Sequence, residues 1–250
     1  MDLPRHIAIE GAYNIRDLGG YKTSRGTSIP SRRFLRADCL HRLEPGGTDH
    51  LVGEGLRCVI DLRTGTEVAQ APSLFKGLAA VDYVNLPLFD DLSPATLARA
   101  GAAYQHPLVP FYTAALDTRG DAVRDILTSI ARVPEGAVLF NCTAGKDRTG
   151  IIAALLLGVA GVSEADIIED YVLTEQMIPD LVDEFLSISR ANGGNVARYA
   201  TLLESPADTM AQMLSHISLQ YGSVQDYVLQ TGVGRADLLC LQERLCGGGA

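Results

Sequence analysis

Residues 137–162 constrain this 250-residue chain more than any other stretch. They open on Ala137-Val-Leu-Phe-Asn141, suited to a buried strand, pass through a loop of small and charged residues, and enter the apolar run Ile151-Ile-Ala-Ala-Leu-Leu-Leu-Gly-Val-Ala-Gly-Val162. That run falls well short of the ~20 apolar residues needed to span a bilayer, so it reads as a helix buried in a globular core. Further strands are expected at 57–62 and 81–86, and helices over 94–104, 108–116 and 121–132. Beyond residue 148 the spacing is helical almost throughout, with Ser163 and Asp166 opening one helix and others over 175–190, 207–221, 224–229 and 235–245. The expected fold is α/β, a central, mostly parallel sheet flanked by helices, with an extended helical C-terminal half. No repeat or linker interrupts residues 1–250, which read as one domain.

The loop between strand and helix runs Cys142-Thr-Ala-Gly-Lys-Asp-Arg-Thr-Gly150. Backbone N–H groups of such a loop, with the partial positive charge of a helix N-terminus, make an anion cradle. Cys142 stands at its start, where the dipole and a nearby cation favour thiolate. Arg148, in a Cys-x5-Arg spacing, can hold two phosphate oxygens at once and bind them more strongly as charge develops. Thr149 can hydrogen-bond the sulfur and ease its departure. Together these parts suit phosphoryl transfer through a cysteinyl-phosphate, with Thr143, Ala144, Gly145, Lys146, Asp147 and Arg148 surrounding the anion. The chain carries 21 Lys+Arg against 30 Asp+Glu, a net charge of −9, so a nucleic-acid surface or adhesion to anionic lipid is not expected. An anion must be caught at one local cradle.

This loop resembles the active-site loop of the protein tyrosine phosphatase superfamily, in its bacterial tyrosine and dual-specificity branch with an Ala-Gly-Lys-Asp-Arg-Thr-Gly run. Asn14-Ile-Arg-Asp-Leu-Gly-Gly20, Phe34-Leu-Arg-Ala-Asp38, Val59-Ile-Asp-Leu-Arg63 and Tyr221-Gly-Ser-Val-Gln-Asp-Tyr-Val228 are similar to other blocks of that branch. The resemblance implies a cysteine-dependent phosphatase without cofactor or metal. Its substrate would be phosphotyrosine in proteins, with phosphoserine, phosphothreonine or phosphoinositide as further substrates. The family usually places His before the nucleophile; here it is Asn141, which cannot become an imidazolium. A phosphate-binding protein that does not turn its ligand over is the reading Asn141 would support.

Several groups are open at this level. Asp147 and Asp61 are equal candidates for the proton donor to the leaving group, with Asp90 and Asp91 behind them. Lys146 adds a second cation to the loop, and Arg16, Arg36 and Arg63 either reach phosphate or support the loop. Apolar residues between 174 and 204, among them Ile178, Leu181, Val182 and Phe185, either pack on the core or form a helical lid. Cys58, on the strand at 57–62, is expected as a packed thiol, with a protective disulfide to Cys142 as the alternative; Met177, Met210 and Met213 are expected in the core. The five cysteines lack CxxC spacing and are expected reduced. The N-terminus has no apolar signal region, which places the chain in the cytoplasm unless it is exported without a recognisable signal peptide.

Overall fold

A computed structural model describes residues 5–44, 46–89 and 106–247. Among them, five strands form one sheet: β1 (Arg16–Asp17), β2 (Phe34–Ala37), β3 (Leu56–Asp61), β4 (Asp82–Asn85) and β5 (Ala137–Asn141), in the order β1-β2-β5-β3-β4. β5 lies at the centre, parallel to β2 and β3; β4 is parallel to β3, and β1 alone is antiparallel. The mostly parallel sheet expected from the sequence is present. Side chains alternate across it, as a two-residue period requires. Phe34, Ile60, Val138 and Phe140 feed one core, and Leu35, Val59, Ala137 and Leu139 the opposite one.

The helices are α1 (Gly47–Gly53), α2 (Gly65–Gln70), α3 (Val109–Thr118), α4 (Gly120–Ala131), α5 (Asp147–Val159), α6 (Glu164–Met177), α7 (Pro179–Ala191), α8 (Val196–Leu203), α9 (Ala207–Tyr221), α10 (Val224–Gln230) and α11 (Arg235–Cys246). α5 carries the long apolar run and is the hub of the fold. It contacts β2 and β5 on the sheet, and α6, α10 and α11 on its other sides. Ile151, Ile152, Leu155, Leu156 and Leu157 have no exposed surface. A helix apolar on every side can exist only where every side is covered. Met177, Met210 and Met213 are buried, as expected.

Some elements differ from the sequence reading. The helix expected over 175–190 is two helices: α6 ends at Met177, and Pro179 opens α7 after the non-helical Ile178. Proline lacks the N–H that an uninterrupted helix would need, yet suits the first turn of a new one. β1, β2, α1, α2 and α8 are not among the expected elements; each is short, and β2 carries Arg36 in its middle, which breaks its apolar pattern. The helix expected over 94–104, with Asp90 and Asp91, lies outside the described residues. Cys58 is level with Val138, four residues before Cys142. At ~3.3 Å per strand residue that is about 13 Å, which rules out the disulfide and leaves Cys58 a packed thiol. Among the described residues no helix is long and apolar enough to cross a membrane.

The central place of α5 can be tested at Leu155, whose side chain is fully buried. Leu155→Ala is expected to lower the unfolding free energy by about 2–5 kcal/mol in chemical denaturation, the cost of lost burial plus the cavity left behind.

Candidate functional site

Ala37 of β2 and Asp61 of β3 are both level with Asn141, so three parallel strands end together. The loop leaves that edge and α5 begins at Asp147. Its carbonyls are held on one side. The Thr143 carbonyl accepts from the Cys39 amide at 3.1 Å. The Ala144 carbonyl accepts from Asn14 Nδ2 at 2.8 Å, and the Gly145 carbonyl from Arg36 Nη2 at 2.7 Å. Turning successive carbonyls outward leaves the N–H groups facing inward, toward an anion at the helix N-terminus. Gly145 makes this possible, since it has φ +67° and a Cβ there would come within 2.7 Å of the Ala37 carbonyl.

The groups that hold the carbonyls are themselves anchored in the interior. Asn14 Oδ1 accepts from Arg16 Nη1, and Asp170 of α6 pairs with both Arg16 and Arg36. Arg16 also donates to the Asp170 carbonyl at 2.7 Å and to Thr174 Oγ1 at 3.0 Å. Burial works to raise the Asp170 carboxyl, but Arg16 and Arg36 outweigh it and hold it below the ordinary value. Burial, followed by repulsion from Arg36, lowers Arg16 to about 10. Arg16 and Arg36 therefore support the loop from behind.

Arg148, in the first turn of α5, faces Glu67 of α2. Nη1 and Nη2 each donate to one Glu67 carboxylate oxygen at 2.7 Å, and Nη2 also donates to Thr143 Oγ1 at 3.1 Å. Glu67 further accepts from Thr143 Oγ1 at 2.7 Å and from the Thr64 amide and hydroxyl at 2.8 and 2.9 Å. Burial acts to raise Glu67, yet the Arg148 hydrogen bonds prevail and bring it down to about 2. Arg148 is raised in turn, burial being overcome by Glu67 and by the nearby charge of Cys142. The Thr64-x-x-Glu67 spacing signals a capping box; nothing in it announces that the carboxylate also orients the loop arginine.

Asp61 and Asp147 sit in different surroundings. The Asp61 carboxylate is fully buried and accepts from Arg63 Nε at 2.9 Å, Arg63 Nη2 at 2.6 Å and Tyr83 Oη at 2.9 Å. Arg63 continues to Cys39 Sγ and the Ala71 carbonyl, at 2.7 and 2.9 Å. Asp147 stands in the first turn of α5 with Tyr112 Oη donating to Oδ1 at 2.6 Å and Lys146 Nζ 3.4 Å from the same atom. The Lys146 ammonium donates to the Leu202 and Glu204 carbonyls at the end of α8, so its side chain ties α8 to the loop. The Thr149 hydroxyl is buried without a hydrogen-bond partner among the described residues, as is Asn141 Oδ1. The Asn141 amide donates to its neighbour's carbonyl at 3.4 Å.

The paired helices after α6 close around one flank. Ile178, Leu181 and Phe185 pack with Ala144 and Tyr13, and Arg42 forms a two-pronged ion pair with Glu184 of α7. Between them lies a cavity of about 200 Å³ bordered by Tyr13, Arg63, Glu67, Thr143 and Phe185.

A cysteine and an arginine flank an outward-carbonyl loop at the end of a central parallel strand. The model of the tyrosine phosphatase family covers residues 7–247. The chain belongs to the tyrosine phosphatase family. A tyrosine-protein phosphatase of Nostoc commune is 33% identical over 230 residues, covering 88% of this chain and 76% of that protein. The triple specificity protein phosphatase PtpB of Mycobacterium tuberculosis is 24% identical over 280 residues, covering 96% of this chain and 98% of its own. Among solved structures, P. aeruginosa TpbA matches with a TM-score of 0.36 and 16% identity, over 82% of this chain and 90% of that one. This family member therefore acts on a phosphorylated substrate.

The Glu67 clamp yields two measurable outcomes. Glu67→Gln is expected to lower kcat by about 10–100-fold as Arg148 loses its orientation. Because the folded carboxyl lies near 2, below its ordinary 4.5, the clamp's stability contribution is complete above 4.5 and fades as pH falls toward 2. The stability gap between the native chain and Glu67→Gln, followed by denaturation against pH, is expected to narrow over that window.

Proposed function

We propose that the chain hydrolyses phosphotyrosine in proteins through a cysteinyl-phosphate. The observation that carries this reading is the cradle itself, three outward-held carbonyls between Cys142 and Arg148. The Cys142 thiolate attacks phosphorus, the S–P bond forms and the bond to the phenolic oxygen breaks. Loop N–H groups and Arg148 bind the equatorial oxygens, where charge builds up. Asp147 gives its proton to the leaving phenolate, then takes one from the water that attacks the cysteinyl-phosphate. As the S–P bond breaks, the unpartnered Thr149 hydroxyl donates to the departing sulfur and inorganic phosphate leaves.

Asp147 is preferred to Asp61 for this work because the Asp61 oxygens are already occupied by Arg63 and Tyr83, while Asp147 Oδ2 has no such partner among the described residues. Asp61 then serves to orient Arg63. Because the Lys146 ammonium is taken up by α8 carbonyls, Arg148 is the loop cation left for the ester. That favours a monophosphate such as phosphotyrosine over a polyphosphorylated inositol lipid. α7 and α8, docked on Ala144 and Lys146, act as the cover of the site in this reading.

A panel of phosphotyrosine, phosphoserine and phosphothreonine peptides with mono- and bis-phosphorylated inositol lipids tests the assignment. Phosphotyrosine turnover is expected to dominate, to be blocked by vanadate and to disappear in Cys142→Ser; lipid turnover exceeding peptide turnover would overturn the substrate, and activity surviving in Cys142→Ser the mechanism. The asparagine before the nucleophile has its own consequence. Asn141→His is expected to speed alkylation of Cys142 by iodoacetamide near neutral pH, because an imidazolium behind the loop would favour thiolate. An unchanged rate counts against any influence of that position on the nucleophile.

A further inference from the structure

Tyr112 and Tyr171 are two of the largest fully buried side chains, and they meet above Asp147. Their hydroxyls are 2.9 Å apart, and their rings cross edge to face at 89° with centroids 6.2 Å apart. Tyr112 Oη lies 2.6 Å from Asp147 Oδ1. Asp147 Oδ1 accepts whether the group is ionised or carries its proton on Oδ2, and each phenol has one proton, so Tyr112 donates to Asp147 and Tyr171 donates to Tyr112. Burial raises both phenols well above their ordinary value, which keeps both protons in place. Lys146 Nζ approaches the same carboxylate atom, Oδ1, at 3.4 Å.

We infer that Tyr112 is a positioning residue that reserves Asp147 Oδ2 for the travelling proton by occupying Oδ1. This rests on the reading of Asp147 as the acid. A carboxyl group with two donors directed at one oxygen carries its own proton on the other. The Tyr112 hydroxyl also fixes the rotation of the carboxyl plane, so that Oδ2 keeps one orientation relative to the leaving oxygen. Tyr171, by donating to Tyr112, leaves Tyr112 no use for its proton other than Asp147 and strengthens that bond. The two tyrosines come from α3 and α6, so the general acid in the loop is aligned by the helices that surround it.

The test uses leaving groups of different need. Expulsion of phenolate requires a proton more than expulsion of p-nitrophenolate does. Tyr112→Phe keeps the ring and removes the hydroxyl. It is expected to lower kcat/KM for phenyl phosphate by about tenfold, a fraction of what a general acid supplies, and to change p-nitrophenyl phosphate little. The inhibition constant of inorganic phosphate should stay unchanged, since ground-state binding is untouched. Tyr171→Phe is expected to act in the same direction by less. Asp147→Asn, run alongside, separates the two readings. If Asp147→Asn shows no leaving-group dependence, the acid assignment fails and the inference with it. If Asp147→Asn shows it but Tyr112→Phe slows both esters equally, weakens phosphate binding or changes nothing, the positioning role alone is overturned. Should Tyr112→Phe not fold, Tyr171→Phe decides the matter by the same ratio, and an unchanged ratio overturns the inference.

Discussion

The site depends on which way the peptide groups of the 142–146 loop are turned. Left alone, a loop of small residues would satisfy its carbonyls with whatever lay nearest and present no consistent face. Here Asn14 and Arg36 capture two consecutive carbonyls from the protein interior, and the Cys39 amide captures a third. A backbone polar group buried without a partner costs about as much as a lost hydrogen bond, so the bonds hold the loop firmly. With the carbonyls held on one side, the N–H groups are left to face the opposite side, where an anion would be held.

That arrangement is secured by charges that would be unfavourable elsewhere. Arg16 and Arg36 are both wholly buried, and one carboxylate, Asp170, serves the pair. Breaking a buried ion pair is costly because it strands a charge, so a network of this kind tolerates few alternative packings. α6 is thereby bound to the β1–β2 edge of the sheet and the loop is trapped between them. The same logic recurs on the other side of the loop. Glu67 closes its capping box and orients Arg148 with one carboxylate, so the start of α2 and the start of α5 are set by a shared group. The geometry of the candidate site comes from interactions that stabilise secondary structure in their own right.

Much of this was legible from residues alone, and the reason is local. The strand at 137–141 and the buried helix after it are adjacent in the chain, so their pattern and the Cys142 to Arg148 spacing survive without tertiary information. The helices at 207–221 and 235–245 were readable for the same reason, each being long enough for its period to repeat. β2 was not, because four residues with a buried arginine in the middle show no period. Nor was the break at Ile178, where apolar spacing continues across two helices and only Pro179 marks the change.

The chain by itself determined the α/β order and singled out Cys142 and Arg148 as the proposed nucleophile and phosphate-binding arginine, since these rest on neighbours in sequence and on a helix too apolar to lie anywhere but inside. Only the tertiary structure decided what surrounds them. Asp61 and Asp147 look alike as residues, yet one is enclosed by Arg63 and Tyr83 while the other, among the described residues, has its hydrogen bond at one oxygen only. Lys146 reads as a cation for the substrate and is taken up by carbonyls 56 and 58 residues away. Glu67 and Tyr112 stand 81 and 35 residues from their partners in the loop. Such pairings depend on three-dimensional proximity, where a hydrogen bond of 2.6 Å leaves no trace in spacing.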